Sequence, residues 1–263
     1  MSTRPLFTPY RMGDLDLPNR IVMAPLTRMR ARPDDHVPTV WQAEYYAQRA
    51  TAGLIVTEGV AISPEGFGWA DTPGLWSEEQ VRGWSHVTDA VHAAGGRIVV
   101  QLWHTGAMSH PDLRGGALPL SASDVNPEQQ SVTAAGRVPT VAPRPMTRDA
   151  IRRTVADYAR AARNAMNAGF DGVQIQANYL YLLLNSSTRR RTADPTSMAV
   201  TSRDGPGSFS RSSKPSSTES IPRRSVSRSA RCTKQVPSRL TTRPCRWRNT
   251  PSVNWQAMGF RTF

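Results

Sequence analysis

Four short apolar runs, separated by helical patterns, constrain the fold of this chain more than any other feature of its sequence. The runs occupy residues 20–23, 53–57, 97–102 and 172–175. Such runs are typical of strands that are buried on both faces, and their alternation with helices predicts an α/β protein with a parallel sheet. Both a doubly wound sheet and a (β/α)8 barrel begin with this alternation.

The predicted helices carry recognisable start signals, and each is followed by glycine. One helix is predicted over residues 39–51, and a second begins after Ser77, which forms a capping-box pattern with Gln80. Thr147 is the expected N-cap of a third helix. The stretch before it, residues 103–145, is predicted to be irregular because it contains many Gly, Pro and Ser residues. The apolar positions of the third helix are predicted at Ile151, Val155, Tyr158, Ala162 and Met166.

The turn after the first predicted strand favours the barrel. It reads Ala-Pro-Leu-Thr-Arg over residues 24–28 and contains no glycine, whereas a doubly wound nucleotide-binding fold normally places a glycine-rich turn there. We therefore predict a (β/α)8 barrel, of which residues 1–190 supply about the first four β/α units. In such a barrel, the carboxyl ends of the strands and the loops after them face the active site.

The formal net charge of +13 is confined to the end of the chain. Residues 1–185 contain 17 Arg and 17 acidic residues, whereas residues 186–263 contain 16 basic and 3 acidic residues. Residues 191–263 are rich in Arg, Ser and Pro, which predicts a disordered basic tail. Two interpretations of it remain open: a shifted reading frame, or an arm that binds nucleic acid nonspecifically through phosphate charge.

The sequence does not follow the patterns of membrane, secreted or metal-binding proteins. Its longest apolar run, residues 179–184, is far shorter than the ~20 residues of a membrane helix. Residues 1–5 lack the apolar stretch of a secretory signal. The spacing of Cys232 and Cys245, and of the His residues, predicts no metal site. We therefore expect a cytoplasmic protein with no membrane partner.

Four segments resemble the old yellow enzyme family. They are Asn-Arg-Ile-Val-Met-Ala-Pro-Leu-Thr-Arg at 19–28, Gly-Leu-Ile-Val-Thr-Glu-Gly at 53–59, Val-Gln-Leu-Trp-His-Thr-Gly at 100–106 and Gly-Phe-Asp-Gly at 169–172. The resemblance covers about residues 5–192. It implies an FMN-dependent barrel, an ene-reductase in which NAD(P)H reduces FMN and the reduced FMN reduces an activated alkene. It also implies a small enone-like substrate and leaves the oligomeric state open. We expect no specific nucleic-acid partner, because the basic tail contains no recognisable recognition motif and few aromatic residues.

The resemblance assigns five residues to the cofactor. Pro25, Leu26 and Thr27 match a loop that lies against the flavin, and the Thr27 hydroxyl would tune the electronic properties of the ring. Gly59 matches a small residue that lets the backbone approach the ring. Gln101 matches an amide that both donates to and accepts from the pyrimidine edge. The structural alternatives are an ordinary turn capped by Thr27 and a structural hydrogen bond of Gln101.

The resemblance also implies a substrate site, and here the chain departs from the family pattern. Trp69 and Trp103 fall where the family lines its substrate pocket, and core packing is their alternative role. The usual pair of a His and an Asn or His is replaced by Gln176 and Tyr179, which would donate hydrogen bonds to the substrate oxygen. Tyr181 matches the general acid that protonates the α-carbon.

The resemblance stops near residue 192, after only the fourth predicted strand of a barrel that usually takes about 250 residues. A shifted reading of degenerate codons for residues 197–209 admits the Tyr-Gly-Gly continuation of the family. We therefore interpret residues 1–190 as the N-terminal half of an FMN-binding barrel and residues 191–263 as an out-of-frame tail. The loops after strands 7 and 8, which usually hold the phosphate, would be missing. The truncated chain is expected to be inactive, and a non-enzymatic remnant is the alternative function.

Overall fold

The computed structural model describes residues 5–177 and 180–187. Tyr179 and the tail over residues 191–263 lie outside this part, so the predictions made for them stay predictions. The strands are β1 (Tyr10–Met12), β2 (Leu15–Leu17), β3 (Val22–Met23), β4 (Leu54–Ala61), β5 (Ile98–Trp103), β6 (Leu120–Ser121), β7 (Gln130–Thr133), β8 (Gly136–Pro139), β9 (Arg144–Pro145) and β10 (Gly172–Ile175). The helices are α1 (Val40–Ala47), α2 (Glu78–Ala93), α3 (Arg148–Asn167) and α4 (Leu182–Ser187).

The main sheet contains β3, β4, β5 and β10, which pair in parallel in the order β10-β5-β4-β3. Each strand therefore lies beside the strand that precedes it in this series, with a helix in each connection. A doubly wound sheet reverses its strand order at a switch point. The observed order has no reversal and is that of consecutive strands in a barrel, which confirms the predicted parallel α/β arrangement.

A bulge interrupts the pairing of β4 with β5. Val56 pairs with Val99, but the next pair is Gly59 with Gln101, so three steps along β4 correspond to two along β5. Bulges of this kind re-aim side chains and occur frequently beside active sites. In this chain the bulge contains Glu58, the acidic residue in an otherwise apolar strand.

The predicted helix starts are confirmed by hydrogen bonds. The Ser77 hydroxyl accepts from the backbone N–H of Gln80 at 3.2 Å, and a full capping box is present. The Thr147 hydroxyl accepts from the N–H of Ala150 at 3.2 Å. Thr39 precedes α1, which ends at Ala47 and is shorter than the predicted 39–51. Each of these caps satisfies an N–H that has no partner within its helix.

Two apolar cores lie on the two faces of the sheet. The larger core packs the helices against one face and centres on the fully buried Trp84. The smaller core lies on the other face, where Leu17 from the β1–β2 hairpin contacts Leu54, Val56 and Val99 at the amino-terminal ends of the strands. The hairpin therefore covers the end of the sheet opposite to the predicted active site.

Two details of the predicted core are wrong. Residues 20–23 were expected to be a buried strand, but Val22 is 51% exposed, because within the described residues β3 pairs with β4 alone. On α3, Val155 and Met166 are exposed, and the buried face instead carries Ala161 and Ala165. The contact stripe is therefore rotated from the predicted one, although Tyr158 and Ala162 are buried as predicted.

Residues 103–145 are more ordered than predicted. They contain an antiparallel hairpin of β7 and β8 and a short parallel pair of β6 and β9. The hairpin is tied to the loop after β4, since the Ala70 N–H donates to the Val132 carbonyl at 3.0 Å. In the two described ranges, no helix is long and apolar enough to cross a membrane.

Candidate active site

Three glutamine side chains are linked across the carboxyl-terminal half of β5 and β10. Gln101 Nε2 donates to Gln174 Oε1 at 2.7 Å, and Gln176 Nε2 donates to Gln101 Oε1 at 3.4 Å. The backbone N–H of Gln101 donates to the Thr57 hydroxyl at 3.0 Å. This chain of amides (Gln174, Gln101 and Gln176), called the amide chain below, fixes the orientation of the central side chain, which is only 6% exposed.

The central amide retains hydrogen-bonding capacity after these contacts. A glutamine amide has two N–H donors and an oxygen with two lone pairs. Gln101 uses one donor toward Gln174 and one lone pair toward Gln176, which leaves one donor and one acceptor. A planar ligand edge that alternates acceptors and donors matches this pair.

Aromatic side chains form a cluster next to the amide chain. The rings of Trp69 and Trp103 meet edge to face with centroids 5.8 Å apart, and those of Trp103 and Tyr181 meet likewise at 5.0 Å. These separations and angles are favourable for aromatic pairs. The structure thus brings three of the predicted site residues together, although they lie on three separate segments of the chain.

A cavity of about 890 Å³ opens beside this aromatic cluster. Its volume lies within the range typical of small-molecule sites. Trp69 and Tyr181 line one side, and the polar residues of the β7–β8 hairpin and the segment before it line the other. These polar lining residues are Asn126, Glu128, Gln129, Gln130, Arg137 and Thr140.

Gly59 lies against the ring of Trp103, a contact that was not expected from the sequence, where Gly59 was assigned only to the flavin ring. A Cβ atom at this position would lie 2.7 Å from Trp103 Cε3 and 2.9 Å from Trp103 Cδ2. Both distances are shorter than real contacts permit, so the packing of Trp103 by itself requires a glycine. The same missing side chain also leaves the backbone open to a ligand.

The loop after β3 carries Pro25, Leu26 and Thr27, and its far end is held by a buried carboxylate. Leu26 is 53% exposed. The backbone N–H of Arg28, directly after Thr27, donates to Glu58 Oε2 at 2.8 Å. Glu58 is fully buried. Burial raises the pKa of Glu58 to about 7, although the N–H groups of Arg28 and Met29 act in the opposite direction.

His104 is neutral under physiological conditions. Its side chain is buried, and burial lowers its pKa to about 3. Its Nδ1 accepts from the N–H of Gly106 at 3.1 Å, and its carbonyl accepts from the N–H of Leu182 at 3.2 Å. His104 therefore connects the loop after β5 to the start of α4, directly after Tyr181. Within residues 5–177 and 180–187, no group of His, Cys, Asp and Glu is arranged to hold a metal ion.

Several residues of this site were not predicted from the sequence. Gln174 pairs in register with Gln101 across the sheet, and this register depends on a contact between distant segments. Glu58 offered a local signal, because a single acid stands in an apolar strand. Asn126 and Arg137 gave no signal, because the stretch that carries them, residues 103–145, had been interpreted as irregular.

The order of the parallel strands, and the polar side chains at their carboxyl ends, are typical of a (β/α)8 enzyme barrel. The chain belongs to the NADH:flavin oxidoreductase / NADH oxidase family, whose pattern matches residues 5–193. It is 42% identical over 183 residues to putative 12-oxophytodienoate reductase 2 of Oryza sativa subsp. japonica, a match that covers 68% of this chain and 46% of the relative. It is 42% identical over 195 residues to flavin oxidoreductase hxnT of Emericella nidulans, covering 72% and 50%.

Comparison with solved structures supports the same family. An old yellow enzyme homologue from Zymomonas mobilis superposes with a TM-score of 0.70 at 46% identity and covers 72% of this chain and 53% of its own. Morphinone reductase in complex with tetrahydroNAD gives a TM-score of 0.70 at 41% identity, with coverage of 74% and 55%. The resemblance inferred from sequence motifs is therefore confirmed. The chain spans about half the length of the relatives that it matches.

Proposed function

We propose that this protein is an FMN-dependent oxidoreductase of the old yellow enzyme type, in which NAD(P)H is the reductant and an activated alkene the acceptor. The observation that carries the proposal is the amide chain at the carboxyl ends of the strands; its central Gln101 shares β5 with Trp103, whose ring contacts Trp69 and Tyr181 at the cavity wall. Family membership supports the same chemistry.

The residues present fit the ring of FMN. The donor and acceptor that remain on Gln101 match a pyrimidine edge. The loop of Pro25, Leu26 and Thr27, in which Leu26 is exposed and the other two are partly exposed, offers backbone groups and a hydroxyl after β3. Gly59 leaves the backbone of β4 open. When bound, FMN supplies the hydride chemistry that side chains lack. The protein contributes orientation and hydrogen bonds to the ring.

The substrate oxygen would be held by N–H and O–H donors. Gln176 uses one amide N–H toward Gln101 and retains a second, and Tyr179 is the proposed partner donor. Such donors stabilise negative charge that develops on a carbonyl oxygen. Tyr181, at the cavity wall, would hold a proton on its hydroxyl and deliver it to the α-carbon. Trp69 and Trp103 would exclude water from the reacting face.

The substrate class follows from the chemistry of the cavity and from the relatives. A cavity with an aromatic side and a polar side suits a small molecule with an apolar body and a carbonyl group. Relatives are named for 12-oxophytodienoate and chanoclavine-I aldehyde. We infer an enone-like substrate of this general kind. The nicotinamide reductant is supported by the morphinone reductase complex with tetrahydroNAD.

The proposal assigns the chemistry to residues 1–190, interpreted as half of a barrel, and none to residues 191–263, interpreted as an out-of-frame tail. The phosphate of FMN is usually held after strands 7 and 8 of a barrel, which lie beyond the matched half of the relatives. We therefore expect this chain to bind the flavin ring weakly and to turn over slowly or not at all.

The experiment is a flavin titration of the purified full-length chain, followed by anaerobic mixing with NADH or NADPH and then with 2-cyclohexenone. Binding is measured by quenching of flavin fluorescence, and the two half-reactions are measured by flavin absorbance. We expect Tyr181→Phe to slow enone reduction by about 10²-fold or more with little effect on flavin reduction. Tyr10→Phe, in the distant β1–β2 hairpin, is the matched control. A chain that takes up no flavin refutes the proposed function.

A further inference from the structure

Glu58 is a carboxylate in a place where carboxylates are rare. It lies in β4 and is fully buried, and the other residues of that strand carry no charge. Burying such a group is unfavourable unless hydrogen bonds compensate for the lost water. The contacts of Glu58 must therefore compensate for the cost of its burial.

The contacts of Glu58 fix one peptide group of the loop after β3. Its Oε2 accepts from the N–H of Arg28 at 2.8 Å. That N–H and the carbonyl of Thr27 belong to the same planar peptide unit. The hydrogen bond consequently sets the direction of the Thr27 carbonyl and of the backbone that leads back to Pro25.

The next residue of this loop is strained, so the loop requires support. Met29 has a φ of 54°, in the left-handed region that non-glycine residues rarely adopt. The N–H of Met29 also acts on the Glu58 carboxyl, and Nη1 of Arg30 donates to the Met29 carbonyl at 2.8 Å. A conformation of this kind persists where surrounding contacts determine it, and the buried carboxylate supplies two of them.

Glu58 also holds the second segment that is proposed to contact the flavin. Its backbone N–H donates to the hydroxyl of Tyr46 on α1 at 2.8 Å, and the following residue is Gly59. The bulge in β4 lies at the same point. One residue therefore links the loop of Pro25–Thr27 to the backbone at Gly59.

We propose that Glu58, in its ionised form, is the positioning residue for the flavin-ring site, an inference that rests on the proposed function. The carboxylate accepts the N–H groups of Arg28 and Met29 and so orders the loop before the ring binds. Protonation replaces one acceptor oxygen by a donor and loosens the loop. Ring binding and ionisation of Glu58 are therefore coupled.

The charges around Glu58 place this coupling in an accessible pH range. Burial raises its pKa to about 7. The titratable groups that face it are the guanidinium of Arg28, which lies over the ring of Tyr45 at 4.4 Å, and the hydroxyl of Tyr46. Burial raises the pKa of Tyr46 as well, so Tyr46 keeps its proton while Glu58 titrates.

The first test measures the loop in the full-length protein without flavin. Hydrogen exchange at pH 7.5, followed by mass spectrometry, reports on the peptides that contain the Arg28 and Met29 amides. Glu58→Gln is expected to reduce their protection by about tenfold, because its Nε2 would face an N–H. Glu44→Gln, the same change at an exposed site of α1, is the control. A circular dichroism melt verifies that each variant is folded.

The second test measures affinity for riboflavin between pH 6 and pH 8. Riboflavin is used because it lacks the phosphate, which itself titrates near pH ~6. With a pKa of about 7, the ionised fraction of Glu58 rises from roughly a tenth to nine tenths over this range. Affinity of the wild type is therefore expected to rise up to about tenfold. Glu58→Gln is expected to bind weakly and without this pH dependence.

The outcomes separate the two proposals. Unchanged protection in Glu58→Gln, or a wild-type riboflavin affinity that stays constant from pH 6 to pH 8, overturns the positioning role. If the wild type binds neither riboflavin nor FMN, the proposed function fails, and the exchange measurement alone decides whether Glu58 holds the loop. If Glu58→Gln does not fold, the wild-type pH titration decides.

Discussion

The packing of Trp103 against Gly59 leads to a quantitative prediction for Gly59→Ala. The new methyl group would lie 2.7 Å from Trp103 Cε3, and Trp103 is only 3% exposed, so the ring has little room to move. Overpacking of a rigid core typically costs about 1–3 kcal/mol. The lost flexibility of glycine in the unfolded chain returns roughly 0.4–1 kcal/mol. We expect a net loss of roughly 1–2 kcal/mol.

Urea denaturation followed by circular dichroism measures this loss, and a double-mutant cycle identifies its cause. In a Trp103→Ala background the obstructing ring is absent, so Gly59→Ala should be neutral or stabilising by up to about 1 kcal/mol. An equal cost of Gly59→Ala in both backgrounds would refute the packing argument. If Gly59 serves only the approach of a flavin, its replacement would leave stability unchanged and weaken riboflavin binding alone.

Two further predictions concern the start of α4 and the stability of the whole protein. Gly106 has a φ of 60°, and a Cβ there would lie 2.8 Å from the Leu182 nitrogen. Because Leu182 directly follows Tyr181, Gly106→Ala should displace Tyr181. The variant should therefore slow enone reduction more than flavin reduction. Gly95→Ala, with a φ of 78° and no atom within 4 Å, is the control, and equal kinetic effects would contradict the prediction. The raised pKa of Glu58, from 4.5 to about 7, means that the folded state retains a proton that the unfolded state has lost. The free energy of unfolding should accordingly fall, relative to Glu58→Gln, by up to about 3 kcal/mol between pH 5 and pH 8, and a constant difference in urea denaturation would count against the burial of this carboxyl.

Local signals in the sequence were sufficient to predict the four strands of the main sheet and the helices between them. Ser77 and Thr147 identify their helices because a cap depends on residues three positions apart. The exposure of Val22 was not predictable, because it depends on whether another strand lies beside β3. Similarly, the burial of Ala161 and Ala165 on α3 depends on packing against distant segments of the chain.

The candidate site was predictable where motifs are contiguous and hidden where contacts join distant segments. Gln101 and Trp103 stand in one motif, and the structure places both at the predicted strand end. The bond from Gln101 to Gln174 spans 73 positions, and the support of Arg28 by Glu58 spans 30. Such pairs depend on strand register, which no periodicity within a single strand reveals.

The bulge in β4 acts as a phase shift in the alternation of side chains. Before it, Ile55 faces the helices and Val56 the opposite face; after it, Val60 returns to the helix side, which an uninterrupted strand would not allow. If the strand were straightened without the loss of a residue, Gly59 would turn toward the helices and Val60 would lie on the Trp103 side. Loss of the extra residue, by contrast, would restore plain alternation with Gly59 and Val60 on their present sides, so a deletion of Glu58 should preserve the core packing and remove the carboxylate that holds the Arg28 amide.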